Sequence, residues 1–193
     1  MSRSNHLRDR IRQLDNGEFT DIPPGYPYSI IFPPTQSSPV VYATKWHAAS
    51  SLLISPDGAC PIGMIGHCGL PSDEDLSGIA DIVRDRPVYF LGDCDPFDLL
   101  VFAWLRQHIP IRFLGTSDAV LSALGITIQE SFLIPLSAEE QRAIVLLREF
   151  CPDFSQLVGP TCAKLLDDNR KIESEALVSF RTQPGSNLLN LLA

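Results

Sequence analysis

The chain has 193 residues, of which 45% are hydrophobic and 20% charged, a length and composition that suit one domain with a buried core. No run reaches the ~18 to 20 apolar residues of a membrane span, and no apolar segment follows the basic N-terminus, so we expect neither a membrane nor a secreted protein. The net charge of −8 argues against a protein that coats nucleic acid with its whole surface.

The cysteines indicate the redox compartment. They are odd in number and not densely spaced, which is unlike a disulfide framework and favours a reducing environment. We therefore expect a cytoplasmic protein. The five are Cys60, Cys68, Cys94, Cys151 and Cys162.

The N-terminal segment differs in charge from the rest of the chain. Residues 1–14 hold four Arg and one Asp, whereas the remaining residues hold 11 basic and 22 acidic side chains. Leu7, Ile11 and Leu14 recur at i, i+4 and i+7, which predicts a short helix whose apolar stripe docks on the body. Its basic face is either solvated or a contact for nucleic acid.

Strand-like apolar runs begin after a proline-rich stretch that ends at Pro39. We therefore divide the chain into a basic helix with a proline-rich lead-in (1–39), a main domain (40–181) and a C-terminal tail (182–193). The predicted strands are 40–43, 62–65, 88–91, 111–114 and 132–134.

Helical patterns alternate with these strands. Apolar residues at helical spacing predict amphipathic helices over 76–83 and 97–105, and Ser137 with Glu140 forms a capping-box pattern at the start of another. The segment 157–180 also has a helical pattern. Alternating strands and helices indicate an α/β fold with a mostly parallel, Rossmann-like sheet and helices on both faces.

Ligands of such sheets bind at the carboxyl ends of the strands, so the residues after each strand are the candidates for function. Asp93 and Asp95 leave the strand at 88–91 together, and paired carboxylates suit Mg²⁺, which prefers oxygen ligands. The alternative is that Asp95 only caps the helix that begins at Pro96.

A glycine-punctuated loop follows the strand at 62–65. It contains His67 and Cys68 and leads to Ser72, a pattern that could admit a phosphate to a helix N-terminus. Zinc is the weaker interpretation, because the Cys-x-x-Cys and His-x-x-x-His spacings are missing. The sequence also lacks a nucleophile elbow, a Walker motif and a dinucleotide-binding fingerprint.

Four segments in the same order resemble the Toprim domain found in the A subunit of topoisomerase VI and in the related meiotic double-strand-break proteins. The segment 90–97 (FLGDCDPF) resembles the Asp-x-Asp-Pro-Tyr/Phe motif, and 66–71 resembles the Gly-Lys-Gly-Tyr-Pro loop. The segment 113–118 (FLGTSD) resembles the Trp-Leu-Gly-x-x-x-Ser-Asp turn, and 171–177 (KIESEAL) the C-terminal Lys-x-Glu-x-Glu-Ala-Leu helix.

The resemblance implies that Asp93 and Asp95 hold Mg²⁺ beside nucleic-acid phosphates. It also exposes a departure: Thr44 stands where the family has the glutamate that acts as metal partner or general acid/base, and a hydroxyl cannot exchange a proton near pH 7. Asp98 replaces a glycine of the family, so it either supplies a third carboxylate or caps the helix. Glu74 is another candidate to replace the glutamate.

Two hypotheses follow. The first is a Mg²⁺-binding, Toprim-like protein in DNA processing, a nuclease or topoisomerase-related enzyme if active, with weak or no catalysis on its own. The second is a degenerate, non-catalytic Toprim module that acts as a protein-interaction subunit. Expected partners are DNA, directly or through a partner protein, and an ATPase or DNA-binding protein. The candidate nucleic-acid contacts are Arg8, Arg10, Arg12, Lys45 and His67.

Overall fold

The computed structural model describes residues 3–15, 17–25, 29–55, 58–180 and 186–192. The strands are β1 (Ser29–Ile31), β2 (Val40–Ala43), β3 (Gly63–Gly66), β4 (Val88–Leu91), β5 (Ile111–Phe113), β6 (Ile134–Pro135) and β7 (Arg170–Lys171). The helices are α1 (Arg3–Asp15), α2 (Trp46–Leu53), α3 (Asp73–Val83), α4 (Pro96–Leu105), α5 (Asp118–Ala123), α6 (Ala138–Phe150), α7 (Phe154–Val158), α8 (Pro160–Asp167), α9 (Ser174–Phe180) and α10 (Ser186–Leu189).

The main sheet has five strands in the order β1-β3-β2-β4-β5. Strands β3, β2, β4 and β5 run parallel, and β1 pairs antiparallel with β3 at one edge. Every residue of β2, β3 and β4 is buried, as expected of a parallel sheet that is covered on both faces. The carboxyl ends of the two central strands, β2 and β4, therefore lie side by side.

The helices lie on both faces of this sheet. The chain moves from β2 to β3 in one direction and from β3 to β4 and β5 in the other, so right-handed crossovers place α2 on one face and α3 and α4 on the other. The helix contacts agree: α2 packs against α9 and α10, while α4 packs against α1 and α6. The arrangement is an α/β fold consistent with a Rossmann-like architecture.

The strongest sequence patterns are confirmed. Strands 40–43 and 88–91 form as predicted, and 62–65 is shifted by one residue. Helix α1 buries Leu7 and Ile11 fully, and α6 begins with the capping box of Ser137 and Glu140. Each of these elements combines a clear apolar period with a local start or stop signal.

Two predictions in the C-terminal half are wrong. Residues 132–134 do not join the main sheet, because only Ile134–Pro135 is extended and it pairs with β7 in a separate antiparallel ribbon. The segment 157–180 is not one helix. Gly159 and Asn169 have positive φ angles of 86° and 56° and end α7 and α8, and β7 follows before α9.

The proline-rich lead-in contributes the edge strand β1, which the sequence pattern did not predict. Prolines are tolerated at sheet edges, where one side of the backbone needs no ladder partner.

Of the predicted tail, residues 182–185 and 193 lie outside the described residues, and Leu188 and Leu192 are buried. Within the described ranges, no helix is both long and apolar enough to cross a bilayer.

Candidate metal centre

Three aspartates meet beyond the carboxyl end of β4. Asp93 lies in the connection after the strand, Asp95 is the N-cap of α4, and Asp98 lies in the first turn of α4. All three are buried, with 2%, 7% and 5% of their surfaces exposed. One carboxylate oxygen from each lies within 4.8 Å of the others, which is close enough for a single cation to contact all three.

The local sequence explains why the side chains converge. Asp95 Oδ1 accepts a hydrogen bond of 2.8 Å from the backbone N–H of Asp98, and Pro96 occupies the first helical position. The capping interpretation of Asp95 is therefore confirmed, and it does not compete with metal binding, because a carboxylate has a second oxygen. Gly92 is required, since a Cβ there would lie 2.6 Å from Asp98 Oδ2.

Thr44 belongs to the same cluster. It follows β2, and its hydroxyl donates a hydrogen bond of 2.7 Å to Asp98 Oδ2, which also accepts one of 2.6 Å from the backbone N–H of Asp93. Asp98 therefore does not cap α4. Its carboxylate lies within hydrogen-bond distance of the Thr44 side chain. The third carboxylate of the cluster is therefore supplied by α4.

Two lysines and three glutamates surround the aspartates. Lys45 Nζ lies 2.8 Å from Asp93 Oδ2, 2.8 Å from Glu175 and 3.3 Å from Glu173. Lys171 lies 2.8 Å from Glu140 and 3.2 Å from Glu173. Six carboxyl groups thus share two ammonium groups, which leaves an excess of negative charge when all are ionised.

The strand ends do not predict Glu173 and Glu175, because these two glutamates come from a distant segment of the chain. The backbone N–H of Cys94 donates a hydrogen bond of 3.0 Å to the carbonyl of Ile172, which brings residues 171–175 beside the aspartates. The only sequence signal was the match to the family's Lys-x-Glu-x-Glu segment. That match was not itself an argument for proximity.

Burial and mutual repulsion raise the pKa values of the aspartates. Burial and the charge of Asp93 raise the pKa of Asp95 to about 7. Burial and Asp95 raise the pKa of Asp98 well above its usual range. Burial also raises the pKa of Asp93, against the opposing effect of Lys45. The three carboxylates therefore do not all ionise easily near pH 7 unless a further cation neutralises them.

Burial lowers the pKa of Lys45, but Asp93 and the two glutamates outweigh that effect, so the net pKa is raised. The ammonium group therefore stays charged at neutral pH.

The cluster lines one side of a cleft of about 540 Å³. Phe19 stacks on Phe97 with ring centroids 5.0 Å apart and forms part of the wall. Eight acidic side chains and two lysines line the cleft within the described residues, so its electrostatic potential is negative. Such a cleft attracts cations and repels phosphates that arrive without a counterion.

The other candidates lie outside the cluster. His67 is buried at 2% exposure, and burial lowers its pKa. Cys68 lines the cleft, whereas Glu74 is exposed at the start of α3 and does not. Among the described residues, the three aspartates are the one group placed to hold a metal, and neither His67 nor Cys68 is part of it.

Three arginines of α1, Arg8, Arg10 and Arg12, contact the body of the protein. Arg8 donates a hydrogen bond to the carbonyl of Pro71 and lies over the Trp104 ring, 4.7 Å from its centroid. Arg10 lies 3.5 Å from Glu149, and Arg12 lies 3.0 Å from Asp21. Arg8 therefore helps to dock α1, while Arg10 and Arg12 form surface ion pairs that contribute little to stability.

Comparison of the chain with known proteins does not assign it to a family. No protein-family model matches the chain, and none of the curated proteins matches it. The class that the fold and the site define is therefore an α/β protein with a mostly parallel five-stranded sheet and a buried acidic cluster at its carboxyl edge.

Proposed function

We propose that the chain is a Toprim-like protein, related to the A subunit of topoisomerase VI, that binds Mg²⁺ and acts in DNA processing. The observation that carries the proposal is the convergence of Asp93, Asp95 and Asp98 at the carboxyl ends of the central strands. Carboxylate oxygens with raised pKa values suit a small divalent cation, because its positive charge offsets the electrostatic free energy of ionising the three carboxylates together. The place of Thr44 in the cluster also supports the resemblance, because the family's glutamate would face the same point.

The residues present fit the metal better than they fit a complete catalytic site. Asp93, Asp95 and Asp98 would hold the ion, which supplies a Lewis acid beside a phosphate. Thr44 cannot act as a general acid or base, a role typically worth ~10²- to 10⁴-fold in rate. Asp98 replaces the missing charge, but it accepts two hydrogen bonds that hold its carboxylate in place. We therefore propose weak or no catalysis by the chain alone.

The second candidate function is a non-catalytic module that acts through a protein partner. The negative cleft and the engaged arginines favour it, because neither offers an obvious surface for a phosphate backbone. In this case DNA would be reached through a separate DNA-binding protein or ATPase.

The test is binding and cleavage of single-stranded, duplex and supercoiled DNA with and without Mg²⁺ or Mn²⁺. We expect metal-dependent DNA binding by the wild type and its loss in the Asp93→Asn/Asp95→Asn variant. Rapid, multiple-turnover cleavage of DNA by the wild-type chain without a partner protein would contradict the proposal of weak or no catalysis. Equal DNA binding by both proteins would contradict a role for the metal.

The arginines of α1 are tested separately. If Arg10 and Arg12 contact DNA, the Arg10→Gln/Arg12→Gln variant should bind DNA more weakly. The negative slope of log K for association against log salt concentration should then become less steep by about 2. Deleting α1 is a poor test, because it would remove the buried Leu7 and Ile11. A matched control is Arg142→Gln/Arg148→Gln on α6. An unchanged salt slope in the α1 variant would leave these arginines as surface ion pairs.

A further inference from the structure

The contacts of Asp93 set it apart from the other two aspartates. Its Oδ1 accepts a hydrogen bond of 2.8 Å from the backbone N–H of Ser174. Its Oδ2 lies 2.8 Å from the ammonium group of Lys45. Both oxygens are therefore engaged, one with an amide and one with a cation.

The other two aspartates each have one carboxylate oxygen engaged in hydrogen bonds. Asp95 Oδ1 accepts the capping hydrogen bond, and Asp98 Oδ2 accepts those from Thr44 and Asp93. Within the part of the chain that the structure describes, Asp95 Oδ2 and Asp98 Oδ1 accept no hydrogen bond and form no ion pair. A metal ion could reach these two oxygens directly, whereas at Asp93 it meets Lys45.

We propose that Lys45 is an internal competitor of the divalent cation, whose binding displaces the ammonium group from Asp93. The inference rests on the proposed metal function and adds to it the step that limits metal affinity. An ammonium and a divalent ion cannot both approach the same carboxylate oxygen closely without strong repulsion. The site therefore exchanges one cation for another.

The structure offers Lys45 a second set of partners. Its Nζ already lies 2.8 Å from Glu175 and 3.3 Å from Glu173, so it stays paired after it leaves Asp93. Its side chain is 31% exposed, and its flexible stem allows a small movement towards these glutamates. The displacement therefore does not leave a buried, unpaired ammonium.

The first test compares three lysine variants by calorimetric titration with MgCl₂ and MnCl₂. We expect Lys45→Met to bind the metal at least about tenfold more tightly than the wild type, because the competing charge is gone. Lys171→Met removes a cleft lysine whose ion pairs, among the described residues, are with Glu140 and Glu173, and we expect a smaller gain. Lys164→Met, an exposed lysine paired with Asp168, should have no effect.

Unchanged or weaker metal binding by folded Lys45→Met would overturn the inference. An equal gain in Lys171→Met would also overturn it, because the effect would then be the general charge of the cleft and not displacement from Asp93.

A second measurement uses the wild type and needs no variant at the site. Acylation by an amine-reactive ester, followed by mass spectrometry, reports how available each lysine is. We expect Mg²⁺ to raise labelling of Lys45 several-fold relative to Lys164. If the wild type binds metal and the labelling does not change, the inference fails and the proposed metal function stands. If the wild type does not bind metal, both fail.

Discussion

The Asp95→Asn variant should be more stable than the wild type above pH 7 in the absence of metal, by on the order of 2 to 4 kcal/mol. The pKa of Asp95 is raised to about 7 by burial and by Asp93. An acid with a raised pKa binds its proton more tightly in the folded state. Its stabilising contribution is therefore complete below the unfolded pKa of about 4 and is lost as the pH rises through about 7. Asparagine stays neutral and can still cap α4.

Urea unfolding of both proteins between pH 4 and pH 8 measures this difference. The two curves should converge near pH 4 and separate as the pH rises. Asp118→Asn is a control of opposite sign, because backbone N–H groups of Thr161 and Cys162 donate to Asp118 and help to lower its pKa despite its partial burial. That variant should be less stable than the wild type across this whole range, because a lowered carboxyl pKa keeps its stabilising contribution until the pH falls below about 4. A wild type as stable as Asp95→Asn at pH 8 would contradict the account of the cluster.

The second large effect is expected from Gly92→Ala. The new methyl group would lie 2.6 Å from Asp98 Oδ2 and 2.7 Å from the ring of Phe90, so one of them must move. Overpacking of this kind typically costs ~1 to 3 kcal/mol. Because the Asp98 oxygen is the end of a side chain whereas the Phe90 ring is fully buried in the core, we expect the carboxylate to shift and the stabilisation by Mg²⁺ to weaken as well.

Gly78→Ala is the matched control for this substitution. Gly78 lies inside α3, and a Cβ there meets no atom within 4 Å. Alanine is the better helix former, so this variant should be more stable by about 0.5 to 1 kcal/mol and should keep its response to metal. Thermal unfolding with and without Mg²⁺ separates the two cases. A Gly92→Ala protein with normal stability and normal metal response would show that the carboxylate of Asp98 is not confined as described.

The sequence predicted the central part of the fold because hydrophobic periodicity reports burial directly. The continuous apolar runs of β2 and β4 indicate strands covered on both faces. The strand β1 escaped prediction because its three residues lie among prolines, and its pairing with β3 is a long-range contact. The ribbon of β6 and β7 has two residues per strand, too few for a period to be visible.

The candidate site was only half visible for a similar reason. Asp93 and Asp95 are adjacent to a strand end, so topology alone placed them at the edge of the sheet. The orientation of Asp98 depends on hydrogen bonds from Thr44 and from the backbone of Asp93. The glutamates near Lys45 arrive from a segment about 130 residues away, as the Lys45–Glu175 hydrogen bond shows. No local pattern encodes that approach.

The most direct test of the account is calorimetric titration of the metal-free protein with Mg²⁺ and Mn²⁺. The comparison is between the wild type, the Asp93→Asn/Asp95→Asn variant and Asp167→Asn/Asp168→Asn, which removes two exposed acidic groups outside the cleft. We predict saturable binding by the wild type and the surface variant, with a matching rise in melting temperature by mass action, and none by the cluster variant. Equal binding by all three proteins, or no binding by the wild type at millimolar metal, would contradict a metal centre at the three aspartates.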